Sequence, residues 1–325
     1  MTAAERLSGD EVVQLLDDPS YFDLLELPTP ANRDGILKAL QDDRLVQPSE
    51  AGGWDITNLG AILIARRLSE FESLRRKAVR VIQYSGVDRT VTLREQIGSM
   101  GYANGYSGLV GFINALLPTN EVIEQAIRNS VPMFPELAVR ELVANAFIHQ
   151  DFFLSGTGPM VEIFVDRIEI TNPGEPLVDT QRFLDSPPRS RNETLASLMR
   201  RFGICEERGS GIDKVVFEVE LYQLPAPLFE VSSGFTRAVL FAHKSLSDMD
   251  KAEKVRACYL HTCLRHVTRK STTNSSVRHR FGIEEQNAAT ASRILSETLD
   301  AEMIVVRDPS AGTRSRAYMP FWAQS

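Results

Sequence analysis

Cysteine is scarce: the chain of 325 residues has three, Cys205, Cys258 and Cys263, too few for a disulfide scaffold, so a reducing cytoplasm is the expected setting. Long apolar runs are missing as well. The longest, Leu59 to Ala65, falls far short of the roughly 20 residues that a membrane-spanning helix needs. The opening MTAAERLSGDE is polar and acidic with no apolar stretch, which argues against a secretory signal. No phosphate loop of the form G-x-x-x-x-G-K-[ST] occurs, and no internal repeat or low-complexity tract interrupts the sequence. What remains is the composition of an ordinary globular protein, 43% hydrophobic and 24% charged, with a length that suits two or three domains.

The formal net charge of −7 speaks against the whole surface coating a polyanion. The charge is uneven, however. From Lys251 to Ser325 there are 12 Lys and Arg against 7 Asp and Glu, a net of +5, whereas the first 250 residues carry 24 against 36, a net of −12. Any contact with nucleic acid is therefore expected in the C-terminal part.

Residues 1–76 read as a helical unit ending in a hairpin. Ser8 and Glu11 stand at capping-box spacing ahead of Val12, Val13, Leu15 and Leu16, and a second helix is expected from Asn32 to Asp43. Leu45-Val46, the Gly52-Gly53 turn and Trp54-Asp55-Ile56 complete the order helix, strand, turn, strand. That order suits a winged helix; a small scaffold with a surface hairpin suits it equally, since the second helix carries few basic residues.

Residues 77–243 alternate differently. A strand is expected at Ala78 to Tyr84 and helices at Ser107 to Leu117, Asn120 to Asn129 and Pro135 to His149. Strands are expected at Met160 to Val165, Arg167 to Thr171, Leu228 to Val231 and Arg237 to Ala242, giving an α+β sandwich. The polar stretch 244–250 reads as a linker, and 251–325 as a separate unit.

Four short segments of the middle region suggest chemistry. In RELVANAFIHQDF, Glu141 and Asn145 are four apart and share a helix face; a carboxylate there can orient water, and an amide oxygen can ligate Mg²⁺. In IEITNPG, Asn172 can accept a hydrogen bond from an exocyclic amine while Gly174 allows close approach, although Asn-Pro-Gly is also an ordinary turn. In EERGSGIDKVV, Gly209 and Gly211 precede a helix start, where backbone N–H groups can cradle an anion. Thr236 lies in GFTRAVLF, a strand able to close a pocket floor.

In order and spacing these segments resemble the N, G1 and G2 boxes of the GHKL, or Bergerat-fold, ATPases, with residues 175–208 as the mobile lid. The run Arg140 to Phe241, including NPG, RSRNETLASLMRRFGICEERGSGIDKV and LPAPLF, closely resembles the ATP-binding domain of the RecG C-terminal-like transcriptional-regulator family. The resemblance implies ATP and Mg²⁺ as ligands, Glu141 as the general base, Asn145 as the metal ligand, and Asn172, Gly174, Gly209, Gly211 and Thr236 as nucleotide contacts. The chain departs from the wider superfamily in carrying Asn172 where a G1 acid is usual. Family members often carry an upstream Schlafen-like (divergent AAA) domain, and none is recognisable in this sequence. In the lid, Arg191 is a candidate phosphate contact, alongside Arg189, Asn192, Arg200 and Arg201; Ser190 to Glu193 reads equally as a helix start.

The basic unit reads as three helices, Ala252 to Val267, Thr273 to Phe281 and Glu284 to Ala301, followed by a hairpin from Met303 to Met319. This is the plan of a winged helix, with Asn287, Thr290 and Arg293 as candidate groove contacts and Arg307, Arg314 and Arg316 as candidate phosphate contacts. Cys258, His261, Cys263 and His266 point in different directions around one helix and do not converge as zinc ligands. The expected molecule is thus a Bergerat-type α/β sandwich flanked by an N-terminal winged-helix-like segment and a C-terminal winged helix. Its expected function is that of an ATP-binding regulator of duplex DNA contact, acting as a homodimer, with a clamp-type ATPase or a non-catalytic assembly module as the alternatives.

Overall fold

The computed structural model describes residues 1–124, 127–205, 211–312 and 315–324. The chain starts with β1 (Thr2–Leu7), α1 (Gly9–Leu15), α2 (Asp18–Leu24), α3 (Arg33–Asp42), β2 (Val46–Pro48), β3 (Trp54–Thr57) and α4 (Asn58–Ile64), the strands forming an antiparallel sheet β1-β3-β2. The capping box opens α1 as the sequence suggests: the Glu11 amide donates to the Ser8 hydroxyl and the Ser8 amide to the Glu11 carboxylate. Asn32 caps α3 in the same manner, accepting from the Gly35 amide at 2.8 Å. Strand β1 and helices α2 and α4 were not anticipated. Helix α4 is buried over Gly60 to Ile64, and Gly60 is required there because a Cβ would lie 2.2 Å from the Leu45 carbonyl oxygen.

A six-stranded sheet follows, ordered β10-β11-β9-β8-β4-β5. Its strands are β4 (Arg80–Tyr84), β5 (Thr92–Ile97), β8 (Met160–Ile163), β9 (Arg167–Pro173), β10 (Leu228–Ser232) and β11 (Phe235–Phe241), and only β4 and β8 pair in parallel. The period of two assigns the faces. Val81, Val161, Ile163, Ile168, Ile170, Ala238 and Leu240 join the main core. Ile82, Tyr84 and Phe164 form a small cluster with Met160 on the other face, and there the buried Glu162 and Glu169 are held by Arg89. The core face carries α5 (Tyr106–Leu116) and α6 (Glu136–His149), with α7 (Glu193–Arg201) and α8 (Gly211–Leu221) completing the layer.

The helix expected over 120–129 is instead a hairpin, β6 (Thr119–Glu124) with β7 (Ile127–Pro132). Val122, Ile123, Ile127 and Val131 are β-branched, a feature that favours strands and that the helical reading underweighted.

The C-terminal unit comprises α9 (Lys251–Val267), α10 (Asn274–Arg280), a 3-10 turn at Glu285–Asn287, α11 (Ala288–Asp300), and the short pair β12 (Ile304–Val306) and β13 (Tyr318–Pro320). Its core takes in Leu184, Val216 and Ala226 from the sandwich, so the two parts share buried surface. A polar anchor adds to this. Glu220 on α8 meets His261 Nδ1 at 3.0 Å and Arg280 Nε at 3.6 Å, and Arg280 donates to the Leu224 carbonyl at 2.7 Å. Within 244–250, Met249 is buried and Leu246 packs against the C-terminal core. No described helix is long and apolar enough to cross a membrane.

Candidate functional site

Helix α6 is buried around most of its circumference, and Glu141, Asn145 and His149 recur every four residues along one side. All three line a cavity of about 200 Å³. The start of α8 closes one end. A Cβ on Gly211 would lie 2.9 Å from Glu141 Oε2 and 3.7 Å from Asn145 Nδ2, so the helix N-terminus, the carboxylate and the amide meet within one contact distance. The structure thus brings together Glu141, Asn145 and Gly211; Gly209 lies outside the described residues.

The floor comes from β9, β10 and β11. Asn172 is paired with Thr236 across the ladder, and both line the cavity with Ile170, Phe229 and Ala238. The Asn172 amide donates to the Pro173 carbonyl at 3.1 Å, and the Thr236 hydroxyl donates to the Gly174 carbonyl at 2.7 Å. Gly174 is buried with φ of +105°. A side chain is strained in that conformation, and its Cβ would also sit 3.1 Å from the Asp151 backbone nitrogen. Gly174 shapes the turn next to the cavity and does not line it.

The lid runs over the cavity as far as Cys205, where the described part ends. Phe183, Pro187, Pro188, Arg189 and Arg200 line the space, and the Phe183 ring meets Phe229 edge-on at 5.2 Å between centroids. Arg191 is not in the lining. Its guanidinium donates to the Glu175 carbonyl at 2.7 Å and lies 3.7 Å from Asp151, while its buried Nε has no partner among the described residues. Asn192 donates to the Ile148 and Gln150 carbonyls at the end of α6, and Arg201 pairs with Asp43 at 2.6 Å. Of the lid residues singled out from sequence, Arg189 and Arg200 are thus the ones that reach the cavity.

Burial tunes several groups near the site. Asp213, in the first turn of α8, is pushed up to about 6 by burial, and its Oδ1 has no hydrogen-bond partner among the described residues. Burial raises the Cys205 thiol to about 11 and so keeps it protonated. His149 is lowered by burial and then by the Arg191 guanidinium, which leaves a neutral imidazole at physiological pH. Sequence reasoning missed His149 and Phe229 as cavity residues. The continuation of the Glu141–Asn145 spacing by four more residues was the available signal for His149.

In the C-terminal unit, α11 buries Ala291, Ile294, Leu295 and Thr298 and exposes Arg293, with Thr290 half-buried; Asn287, in the turn just before α11, is exposed. The Asn274 side chain ties α10 to α11 through the Ala288 carbonyl and the Ser292 hydroxyl. Arg307 is exposed and bonds Ser271 Oγ at 2.7 Å, Arg316 is half-buried with no partner for its Nε among the described residues, and Arg314 is outside them. The would-be zinc residues disperse: His261 faces Glu220, His266 packs edge-on against Trp322, and the buried Cys258 and Cys263 thiols are raised to about 11 and about 12 by burial. Among the described residues no cluster of His, Cys, Asp or Glu is suited to a metal ion.

Residues 156–240 match the family described as "Putative ATP-dependent DNA helicase recG C-terminal", which supports a GHKL-like ATPase-type domain in this α+β fold. No curated protein matches the chain. Among solved structures, the DIP2311 protein of Corynebacterium diphtheriae is similar at a TM-score of 0.59 and 18% identity, over 98% of this chain and 63% of that one. The likeness is one of fold, and this chain spans less than two thirds of that protein's length.

Proposed function

We propose that the chain is an ATP-binding regulator in which the nucleotide state of the cavity sets the disposition of the C-terminal unit on duplex DNA. One observation carries the reading. The lid residue Phe183 lines the cavity, and its neighbour Leu184 is buried in the core of the C-terminal unit. A ligand that displaces Phe183 must therefore act on Leu184, because packed interiors transmit strain instead of absorbing it. The Tyr259 hydroxyl on α9 donates to the Gln181 carbonyl, and the Arg182 guanidinium lies 5.5 Å from the Trp322 ring, so the same lid turn is held by side-chain contacts as well.

The donor set fits the nucleotide. Gly211 leaves room that a Cβ would fill, and a helix N-terminus in that position favours phosphate. Asn145 offers an amide oxygen, suited to Mg²⁺, a cation that prefers oxygen ligands. Bound Mg²⁺ would supply charge neutralisation at the phosphates. Arg189 and Arg200 line the same cavity, and guanidinium groups suit phosphate. Glu141, 5% exposed and beside Gly211, is the group proposed to orient a water, and a carboxylate there supports slow hydrolysis over a purely structural use of the fold. The helix-turn-helix order and positive charge of the C-terminal unit support duplex DNA as the partner, and three unpaired cysteines suit the cytoplasm.

The test is direct. Full-length protein is titrated onto a mixed-sequence duplex with and without ATP and Mg²⁺, and ATP binding is measured separately by calorimetry. A nucleotide-dependent change in DNA affinity is expected. ATP binding with no effect on DNA affinity would leave a nucleotide-binding assembly module, and no ATP binding would remove the reading altogether.

A further inference from the structure

His149 extends the cavity-facing row of α6 by one turn beyond Asn145, and the functional reading above gives it no role. Eight residues separate it from Glu141, which at 1.5 Å per residue places it about 12 Å along the helix from the phosphate end marked by Gly211. The opposite end of the cavity is the Asn172 end. The Asp151 amide donates to the Pro173 carbonyl at 2.8 Å, which fastens the segment just after His149 to the strand residue that follows Asn172.

The backbone on either side of His149 is fixed. Asn192 donates to the carbonyls of Ile148 and Gln150 at 2.7 and 2.8 Å, and the fully buried Gln150 side chain donates to the Tyr102 hydroxyl at 2.8 Å. Tyr102 is in turn stacked on Phe147 with ring centroids 4.0 Å apart. The imidazole is thereby held in the cavity wall, yet no described residue makes a hydrogen bond to it. The half-buried ring lines the cavity, so its donor and acceptor, which no described residue takes up, are left for what the cavity holds.

We infer that His149 is a specificity-determining residue that hydrogen-bonds the nucleoside half of the bound nucleotide, at the base edge or the sugar hydroxyls. The inference rests on the proposal that the cavity holds ATP. A neutral imidazole carries one donor and one acceptor, so it can read a heteroaromatic edge or a hydroxyl without adding charge beside Arg191.

The experiment measures binding of ATP, GTP and dATP to full-length wild type, His149→Ala and His149→Gln by calorimetry, with circular dichroism as the check on folding. His149→Ala should weaken ATP roughly tenfold, the equivalent of one lost hydrogen bond, and should shrink the preference of the protein for ATP over one competitor. A loss of preference over GTP assigns the contact to the base; a loss of preference over dATP assigns it to the 2′-hydroxyl. His149→Gln, which keeps a donor and an acceptor, should recover most of the affinity. Equal weakening of all three nucleotides, or no weakening of any, overturns the inference while leaving ATP in the cavity. Failure of wild type to bind any nucleotide overturns the functional proposal itself.

Discussion

Phe183 and Leu184 are consecutive in the chain and join two spaces: Phe183 lines the cavity between α6 and the sheet and also packs against the core of the C-terminal unit, in which Leu184, 6% exposed, is buried. A lid free to open on its own would carry polar residues on its outer side. Here the turn at Phe183 and Leu184 packs on the C-terminal core, so that turn cannot move without the C-terminal unit moving or giving up contact.

Tyr259→Phe tests that linkage with little disturbance. The change removes the hydrogen bond to the Gln181 carbonyl and the one received from Trp322 Nε1 at 3.1 Å, at a cost of about 1 kcal/mol each. ATP affinity should stay near wild type, whereas the effect of ATP on DNA affinity should shrink. An undiminished ATP effect in this variant, measured by fluorescence anisotropy, would place the coupling elsewhere.

Gly211→Val should abolish ATP binding. Its Cβ would be 2.9 Å from the Glu141 carboxylate, so the side chain fills the space proposed for phosphate. Calorimetry on a folded variant that still binds ATP with wild-type affinity would rule out this end of the cavity as the phosphate cradle.

Glu141→Gln should keep ATP and lose turnover by roughly 10²–10⁴-fold, the usual size of a general-base contribution. The amide is nearly the same size as the carboxylate, so the cavity survives while the proton acceptor is removed. Phosphate release at the wild-type rate would show that Glu141 is not the base.

Much of this arrangement was legible in the sequence because it is local. The Ser8–Glu11 capping box, the Glu141–Asn145 spacing and the strand running into Asn172-Pro173-Gly174 each depend on a few neighbouring residues. The hairpin β6–β7 was not, since Val122, Ile123 and Ile127 serve a helix or a strand and only the pairing decides. Nor was the split among the lid arginines. Arg191, Arg200 and Arg201 look alike in sequence, but only the fold sets Asp43 beside Arg201 and the Glu175 carbonyl beside Arg191. The sharing of Leu184 between lid and C-terminal core was equally hidden, because it joins segments about seventy residues apart.

Stability should carry a signature of Asp213. Its folded-state value of about 6 lies above the ordinary 3.8, and burial is the cause. The folded state therefore holds its proton more tightly than the unfolded chain does, so the penalty is absent below about pH 4, grows from there to about pH 6 and is complete above that. Asp213→Asn should accordingly raise the melting temperature at pH 7.5 and give little or no gain at pH 4. An equal shift at both pH values would mean that the carboxylate is not burdened by its charge.

The salt dependence of DNA binding tests the C-terminal unit. Arg293 is exposed on α11, on the side away from Ile294 and Leu295, and Arg307 is exposed at the start of the β12–β13 connection. They project from separate elements, as expected of residues that straddle a groove, whereas Arg316 has its Nε buried and is less suited to reach a phosphate. Each phosphate contact contributes about 0.9 to the slope of log affinity against log salt, so Arg307→Ala should flatten the slope by about 0.9 and weaken binding about equally on unrelated sequences, whereas Arg293→Ala, a change in the groove, should relax sequence preference. The measurement is made on the full chain in the nucleotide state that binds DNA more tightly. An unchanged slope in Arg307→Ala would remove Arg307 from the interface, and an unchanged sequence preference in Arg293→Ala would remove Arg293. No binding even at low salt would make the C-terminal unit a protein-contact module, and the lid would then control an assembly instead of a DNA complex.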